Sequence, residues 1–229
     1  MTASQVAAGR PLQVVLFDLD GTISDSAPGI LAALRHAFAE KGLPQLDPEA
    51  EKALLGPPFY ESLPPLIGGV DRLPAIIASY RAHYSAGGMY DAVAYDGIVE
   101  VVAGAYASGI RLAVATSKPE PYAVPIVEYL GLAEYFETVG GDELDGSLPT
   151  KALVIDKVLG RLDRPDPARI LMVGDRSHDV IGAREHGIAC IGAGWGYSVP
   201  GELADAQAAL ICAEPRELGM VLGLEELRV

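Results

Sequence analysis

The sequence predicts an α/β fold in which a Rossmann-like, doubly wound parallel sheet carries an inserted α-helical domain. Short apolar runs alternate with helical patterns, which is typical of βαβ units. The runs do not alternate polar with apolar residues, so we expect strands that are buried on both faces. One long segment without strand patterns interrupts this alternation. The chain has 229 residues, of which 50% are hydrophobic, and can bury a substantial core.

Six runs have the length and residue types of strands. They are Leu12–Phe17, Arg111–Thr116, Thr138–Gly140, Ile170–Val173, Ile188–Ile191 and Ala209–Cys212. Helical patterns lie between or before them, at Gly97–Ala107, Pro121–Leu130, Lys151–Leu159 and Val180–Glu185. This alternation implies right-handed crossovers between parallel strands.

The segment between the first two strands has no convincing strand pattern. Its amphipathic stretches are Ile30–Lys41, Pro48–Leu55, Tyr60–Leu66 and Leu73–Ser85. A βαβ crossover needs far fewer residues, so we expect a small inserted domain with linkers near Ser24–Pro28 and Asp91–Gly97. The predicted organisation is a flexible tail at 1–11, a catalytic core at 12–26 and 96–229, and a helical domain at 27–95.

Composition argues against several classes of function. The formal net charge is −14 and Lys and Arg do not cluster, which argues against nucleic-acid binding. No apolar stretch approaches the ~18 residues of a membrane span, and the first ten residues do not resemble a signal peptide. We therefore expect a cytoplasmic protein. Cys190 and Cys212 lie in apolar runs and are expected to be buried free thiols rather than a disulfide.

The first strand leads directly into Asp18-Leu19-Asp20-Gly21-Thr22. Carboxylates at this point lie in the usual ligand crevice of an open α/β sheet. They can hold a hard cation, attack an electrophile or move a proton. The structural alternative is that they only cap the following helix.

Three further polar groups follow strand-like runs or turn-rich loops. They are Thr116-Ser117-Lys118-Pro119, then Lys151, then Gly174-Asp175 through Asp179. Together with the first group they supply the parts that phosphoryl transfer needs: a nucleophile, an acid/base, a metal site and donors for phosphate oxygens.

In this order, the four groups resemble the four motifs of the haloacid dehalogenase-like hydrolases, in their phosphatase branch. The resemblance extends from about residue 12 to about residue 212. Phosphoglycolate-phosphatase-like and 5′-nucleotidase-like members look most similar. It implies that residues 27–95 form a type-1 cap and that the cofactor is Mg²⁺.

The candidate catalytic residues are Asp18, Asp20 and Lys151. Asp18 is the candidate nucleophile, which would form an aspartyl-phosphate, and Asp20 is the candidate general acid/base. Lys151 matches the third motif and would neutralise charge on the transferring group. The resemblance also implies that the Asp18 carboxylate and the Asp20 main-chain oxygen bind Mg²⁺. Dehalogenases of the family carry another residue at the position of Asp20, so the sequence favours a phosphatase.

Asp175 and Asp179 complete the candidate metal ligands. Asp175 follows a buried strand and a glycine, which suits a carboxylate ligand. Asp179 would bind through water or orient Lys151; alternatively, it only favours the helix N-terminus. The loop neighbours Arg176 and His178 are expected to be solvated, and Trp195 is expected to pack a surface loop.

The candidate phosphate-binding residues come from two motifs. Thr116 and Ser117 offer hydroxyl and N–H groups, although Ser117 could instead cap a helix. Lys118 either supports the site or lies on the surface. Gly21 and Thr22 either offer N–H groups to a phosphate oxygen or only form the turn.

Substrate recognition is assigned to the turn that contains Pro57, Phe59 and Tyr60, which could touch a base or sugar or belong to the core of the inserted domain. The polar candidates in this domain, most of them expected to be solvated, are Arg35, His36, Arg72, Arg81 and His83. The expected substrate is a small phosphorylated metabolite, preferably a nucleoside 5′-monophosphate. Alternatives are a phosphoglycolate phosphatase, a β-phosphoglucomutase-like phosphomutase and a non-catalytic phosphate-binding protein. The expected oligomeric state is a monomer or a homodimer.

Overall fold

The computed structural model describes residues 11–224, so most of the predicted tail lies outside the described residues. The strands in this range are β1 (Val14–Phe17), β2 (Ser24–Asp25), β3 (Val93–Ala94), β4 (Arg111–Pro119), β5 (Thr138–Asp142), β6 (Ile170–Gly174), β7 (Ala189–Ala193) and β8 (Leu210–Cys212). Six of them form a parallel sheet in the order β5-β4-β1-β6-β7-β8. The predicted doubly wound fold is confirmed.

The α-helices follow the predicted order. They are α1 (Ala27–Glu40), α2 (Pro48–Ala53), α3 (Phe59–Ser62), α4 (Pro64–Ile67), α5 (Leu73–Ser85), α6 (Ile98–Ala107), α7 (Glu120–Tyr129), α8 (Lys151–Arg161), α9 (Ser177–Glu185), α10 (Glu202–Asp205) and α11 (Pro215–Leu222). The sequence analysis did not predict α11, which packs Leu218 into the core. None of the helices in residues 11–224 combines the length and hydrophobicity that a membrane span requires.

Helices cover both faces of the sheet, and its central strand β1 is apolar throughout. Val15 and Phe17 of β1 belong to one buried cluster, which includes side chains of α6, α7 and α11. Val14 and Leu16 belong to a second cluster with side chains of α8 and α9. Successive strand residues point to opposite faces, so every β1 side chain is buried in one of the two layers.

The register of β1 brings the polar groups of three motifs to one edge of the sheet. Phe17, the last residue of β1, pairs with Val114 of β4 and with Val173 of β6. The residues that follow these positions therefore emerge side by side at the carboxyl ends of the strands. This edge is where open α/β sheets bind ligands.

Residues 27–85 contain five α-helices and no strand, with α1 packed against α5. The stretch predicted as one helix at Tyr60–Leu66 is two short helices, α3 and α4, because Pro64 has no N–H to donate to the carbonyl of Tyr60 and so interrupts the helical hydrogen bonds. The two predicted linkers contain a short antiparallel ribbon that the sequence analysis did not predict: Ser24 pairs with Ala94 and Asp25 with Val93. Two-residue strands are too short to show a period in the sequence.

Candidate active site

The turn after β1 is held by its own backbone. The N–H of Gly21 donates to the Ser24 carbonyl at 2.8 Å, and the N–H of Thr22 donates to the Leu19 carbonyl at 3.3 Å. These two N–H groups therefore form the turn, which is the structural alternative considered for them. Gly21 has a φ of +84°, and a side chain at this position would collide with the Asp175 carboxylate. Glycine thus allows the turn and β6 to approach each other.

Lys151, at the base of the site, contacts the residue after β1, the start of α9 and the backbone of β4. It is the first residue of α8, whose start is fixed by the Thr150 hydroxyl accepting from the N–H of Leu153 at 3.3 Å. Its Nζ lies 2.8 Å from Oδ1 of Asp18 and 2.7 Å from Oδ1 of Asp179. The same ammonium donates to the backbone carbonyl that precedes Thr116, at 3.0 Å.

Asp175 and Asp179 are both buried and both held by hydrogen bonds. Asp175 accepts from the Thr22 hydroxyl at 3.1 Å and from the N–H of Tyr197 at 2.7 Å. Asp179 accepts from the N–H of Arg176 at 3.0 Å with one oxygen and pairs with Lys151 through the other. Its side chain therefore orients Lys151 and also caps the start of α9.

The carboxylates form a buried acidic cluster. Asp18, Asp175 and Asp179 each offer an oxygen, and these atoms lie within 4.8 Å of one another. Burial raises the pKa of Asp18 to about 6, against the lowering effect of Lys151 and with a further rise from Asp179. Burial and the charges of Asp18 and Asp179 raise the pKa of Asp175 well above its usual range. Three carboxylates around one lysine leave excess negative charge, and these oxygen donors suit a hard divalent cation such as Mg²⁺.

Asp20 lies apart from this cluster and pairs with Lys118. Its Oδ2 is 2.6 Å from Nζ of Lys118, and its Oδ1 accepts from the Ser26 hydroxyl at 2.6 Å. Burial lowers the pKa of Lys118, but the charge and hydrogen bond of Asp20 together with the effects of Tyr84 and Tyr80 more than offset this, and the pKa is raised. Lys118 therefore lies in the site and not on the surface.

Thr116 and Ser117 lie in β4 next to these groups. The Thr116 hydroxyl accepts from the N–H of Lys118 at 3.3 Å and lowers the pKa of the neighbouring Asp18. Ser117 lines the cleft described below. It does not cap α7, which begins at Glu120 after Pro119.

A cleft of about 840 Å³, open to solvent, lies between the sheet edge and the helical segment. Asp18 and Asp20 line its floor, and the substrate-binding candidates Pro57, Phe59 and Tyr60 line its other side. Sequence reasoning missed several other lining residues, namely Ile30, Leu54, Ile77, Tyr80, Tyr84, Tyr122, Asp142 and Glu143. These residues are mostly apolar or aromatic, and their helical spacing gave no sign that they face a cleft.

Of the five polar candidates in the helical segment, Arg81 lines the cleft and the others are exposed. Arg81 donates to the Leu144 carbonyl at 2.5 Å and to the Tyr60 hydroxyl at 3.3 Å. The helical segment therefore contacts the loop after β5. The other four candidates are Arg35, His36, Arg72 and His83.

The loop after β7 has a larger role than the expected surface packing. The indole N–H of Trp195 donates to the Thr22 carbonyl at 3.0 Å. The hydroxyl of Tyr197 accepts from the N–H groups of Ser26 and Ala27 at 2.8 and 3.0 Å. This loop therefore packs behind the turn after β1. Sequence reasoning missed this function because the aromatic pair resembles ordinary loop packing.

Arg176 and His178, which follow β6, differ from each other in exposure. His178 is exposed, as expected. Arg176 is only partly exposed, pairs with Glu202 at 2.9 Å and donates to the carbonyl of Leu55 in the helical segment. The expectation of a solvated arginine was therefore wrong. Both cysteines are buried and free, as predicted.

This fold and site define a haloacid dehalogenase-like hydrolase, and the model of that family matches residues 15–193. The chain belongs to this family. A crystal structure of a predicted phosphatase from Clostridium acetobutylicum is similar, with a TM-score of 0.87 and 33% identity, covering 92% of this chain and 98% of that chain.

Curated relatives carry different names. The tyrosine-protein kinase PtkA of Mycobacterium tuberculosis is 45% identical over 82% of this chain, and the match spans 64% of PtkA. A 5′-nucleotidase of Pseudomonas aeruginosa is 34% identical over 91% of this chain and 94% of its own length. A phosphoglycolate phosphatase of Yersinia pseudotuberculosis is 29% identical over 96% of this chain and 97% of its own length.

Proposed function

We propose that this chain is a Mg²⁺-dependent phosphomonoester hydrolase that works through an aspartyl-phosphate intermediate. The observation that carries the proposal is the buried cluster of Asp18, Lys151, Asp175 and Asp179 at the base of the cleft, with Asp20 beside it. In this proposal residues 27–95 act as a cap over the site, which excludes water and contacts the leaving alcohol.

The reaction has two steps. In the first, a carboxylate oxygen of Asp18 bonds to phosphorus while the bond to the leaving oxygen breaks, and Asp20 gives that oxygen a proton. In the second, Asp20 takes a proton from water, and the water oxygen displaces the Asp18 carboxylate from phosphorus. Lys151 and the Thr116 hydroxyl stabilise negative charge on the phosphoryl oxygens.

The metal would be held by the carboxylates of Asp18 and Asp175, with the main-chain oxygen of Asp20 added by the family resemblance. Asp179 contributes through water or by positioning Lys151. When bound, Mg²⁺ supplies positive charge that offsets the charge of the phosphate and of the carboxylates.

A nucleoside 5′-monophosphate is the favoured substrate. The cleft is lined mainly by apolar and aromatic side chains, including Phe59 and Tyr60, which suit a planar base. The relative named 5′-nucleotidase supports the same choice. Phosphoglycolate is the alternative, with Arg81 at the cleft as the group that would meet its carboxylate. Phosphomutase activity and phosphate binding without catalysis are further alternatives.

A second candidate activity is transfer of the phosphoryl group to or from a tyrosine hydroxyl. The 45% identity to a relative named tyrosine-protein kinase favours this candidate, and an aromatic cleft also accommodates a phenol ring. An aspartyl-phosphate can pass its phosphoryl group to a phenol as well as to water. The expectations of a monomer or homodimer, of cytoplasmic localisation and of no nucleic-acid partner stay predictions.

The test is phosphate release from a panel of 5′-nucleotides, phosphoglycolate, sugar phosphates and phosphotyrosine, with Mg²⁺ and with a chelator. Mg²⁺-dependent release is the expected result, with 5′-nucleotides ranked first. Isomerised sugar phosphates without free phosphate would identify a mutase, and labelled tyrosine after incubation with ATP would identify a kinase. No product from any substrate would contradict the proposal.

A further inference from the structure

The lining of the cleft contains a tyrosine whose phenol proton finds no acceptor in the described part of the protein. Tyr84 of α5 lines the cleft and is 1% exposed. Within the described residues no group accepts a hydrogen bond from its hydroxyl, whose oxygen lies near the Lys118 ammonium. Buried polar groups in native proteins nearly always have a partner, so an exception calls for an explanation such as a ligand.

Tyr84 lies directly beyond the candidate acid/base. Nζ of Lys118 is 2.6 Å from Oδ2 of Asp20 and 5.0 Å from the centre of the Tyr84 ring. Asp20 would protonate the leaving oxygen, so Tyr84 is placed to meet the alcohol part of the substrate rather than its phosphate.

The ring is held firmly by its neighbours. Tyr80 stacks on it with centroids 5.3 Å apart, and Tyr122 meets it edge-on at 5.6 Å. Burial raises the pKa of Tyr84, so the phenol keeps its proton. The adjacent Lys118 ammonium lowers this pKa in part through its contact with the hydroxyl oxygen, but an ammonium can only donate. The phenol proton is therefore free for an acceptor.

We infer that the Tyr84 hydroxyl donates a hydrogen bond to an oxygen on the alcohol part of the substrate, close to the ester oxygen. This inference rests on the proposed function and makes Tyr84 a specificity-determining residue. It selects phosphoesters of alcohols that carry a hydroxyl, ether or carboxylate oxygen near the ester. Sugars and hydroxy acids meet this requirement, and plain alkyl alcohols do not.

The test compares hydroxyethyl phosphate with propyl phosphate, which has a methyl group in place of the hydroxyl. In the wild type with Mg²⁺, we expect kcat/KM to be about tenfold higher for hydroxyethyl phosphate, because one hydrogen bond is left unmade with propyl phosphate. In Tyr84→Phe this preference disappears, because kcat/KM falls only for hydroxyethyl phosphate. The control Tyr122→Phe removes another hydroxyl of the same cleft and keeps the preference. A wild type without the preference, or an equal fall for both esters in Tyr84→Phe, overturns the inference.

Thermal unfolding without substrate gives a second readout. The free protein offers the phenol proton no acceptor, so Tyr84→Phe loses at most the contact between its hydroxyl oxygen and Lys118, and we expect its Tm to fall by no more than about 4 °C. A larger fall in Tm would mean that the hydroxyl also donates a hydrogen bond within the protein and would overturn the inference. If the wild type hydrolyses no ester at all, the proposed function fails, and the Tm comparison still decides whether the phenol proton lacks an acceptor in the free protein.

Discussion

The Lys151 ammonium lies 2.8 Å from Oδ1 of Asp18, and both side chains are buried at the junction of β1, β4, α8 and α9. Lys151 reaches this position because Thr150 starts α8 immediately before it. The same ammonium pairs with Asp179. One cation therefore fixes the candidate nucleophile and the start of α9 together.

Replacing this cation should strongly destabilise the metal-free protein. Lys151→Met leaves two carboxylates buried without a counter-charge, and we expect a loss of about 3–5 kcal/mol in the free energy of unfolding. Urea unfolding in the presence of a chelator measures it. The control is Lys157→Met on the same helix, whose pairs with Glu120 and Glu143 lie nearer the surface; its expected loss is about 0–1 kcal/mol. Similar losses in the two variants would contradict the role of Lys151.

Asp18→Asn should abolish turnover and keep the fold. The amide lacks the negative charge needed to attack phosphorus, so we expect kcat to fall by about 10⁴-fold or more. Steady-state phosphate release measures kcat, and circular dichroism checks the fold. Substantial remaining activity in a folded variant would exclude Asp18 as the nucleophile.

The stability of the metal-free protein should depend on pH through the carboxyl group of Asp18. The pKa of Asp18 is raised from 3.8 to about 6 in the folded state, so the folded protein binds this proton more tightly than the unfolded chain. The stability that this carboxyl contributes is therefore fully present below about pH 4 and is lost as the pH rises through about 6. Asp175 shifts in the same direction.

The comparison of Asp18→Asn with the wild type isolates this effect. In the presence of a chelator, the free energy of unfolding of the variant minus that of the wild type should increase as the pH rises from about 4 to about 6.5. Added Mg²⁺ at neutral pH should raise the Tm of the wild type more than that of the variant. A pH-independent difference, or equal Mg²⁺ effects, would count against this account of the cluster.

The loop after β7 should stabilise the turn after β1. Tyr197→Phe removes the acceptor of the Ser26 and Ala27 N–H groups, and the Ser26 N–H is buried. We expect a loss of about 1–3 kcal/mol in the free energy of unfolding. The control Tyr129→Phe changes an exposed tyrosine and should have little effect. If denaturant unfolding gives equal values for both variants and the wild type, the Tyr197 contact does not stabilise the turn.

The sheet could be predicted from the sequence because its strands are buried on both faces. Continuous apolar runs such as Ile170–Val173 are long enough to be recognised, and the structure extends β6 by only one residue, to Gly174. The ribbon of Ser24–Asp25 and Val93–Ala94 could not be predicted. Its two strands have only two residues each and are far apart in the sequence, so their pairing leaves no local pattern.

The residues of the candidate site could be predicted only where they belong to short polar motifs at the ends of strands or the starts of helices. Asp18, Lys151, Asp175 and Asp179 stand at element boundaries, and the structure brings them into one cluster. Tyr84 lies within a regular amphipathic helix, so its approach to Lys118 depends on tertiary packing that the sequence does not show.

The most direct test of the central claim is to locate the phosphoryl group after rapid acid quench of Asp20→Asn with an aryl phosphate and Mg²⁺. An aryl leaving group needs little protonation, so the first step proceeds, whereas the second step lacks its base. We predict a burst of one phenol per protein molecule and a phosphoryl group on the Asp18 peptide by mass spectrometry. Turnover with no phosphoryl group on Asp18, or with the group on another residue, would contradict the aspartyl-phosphate mechanism.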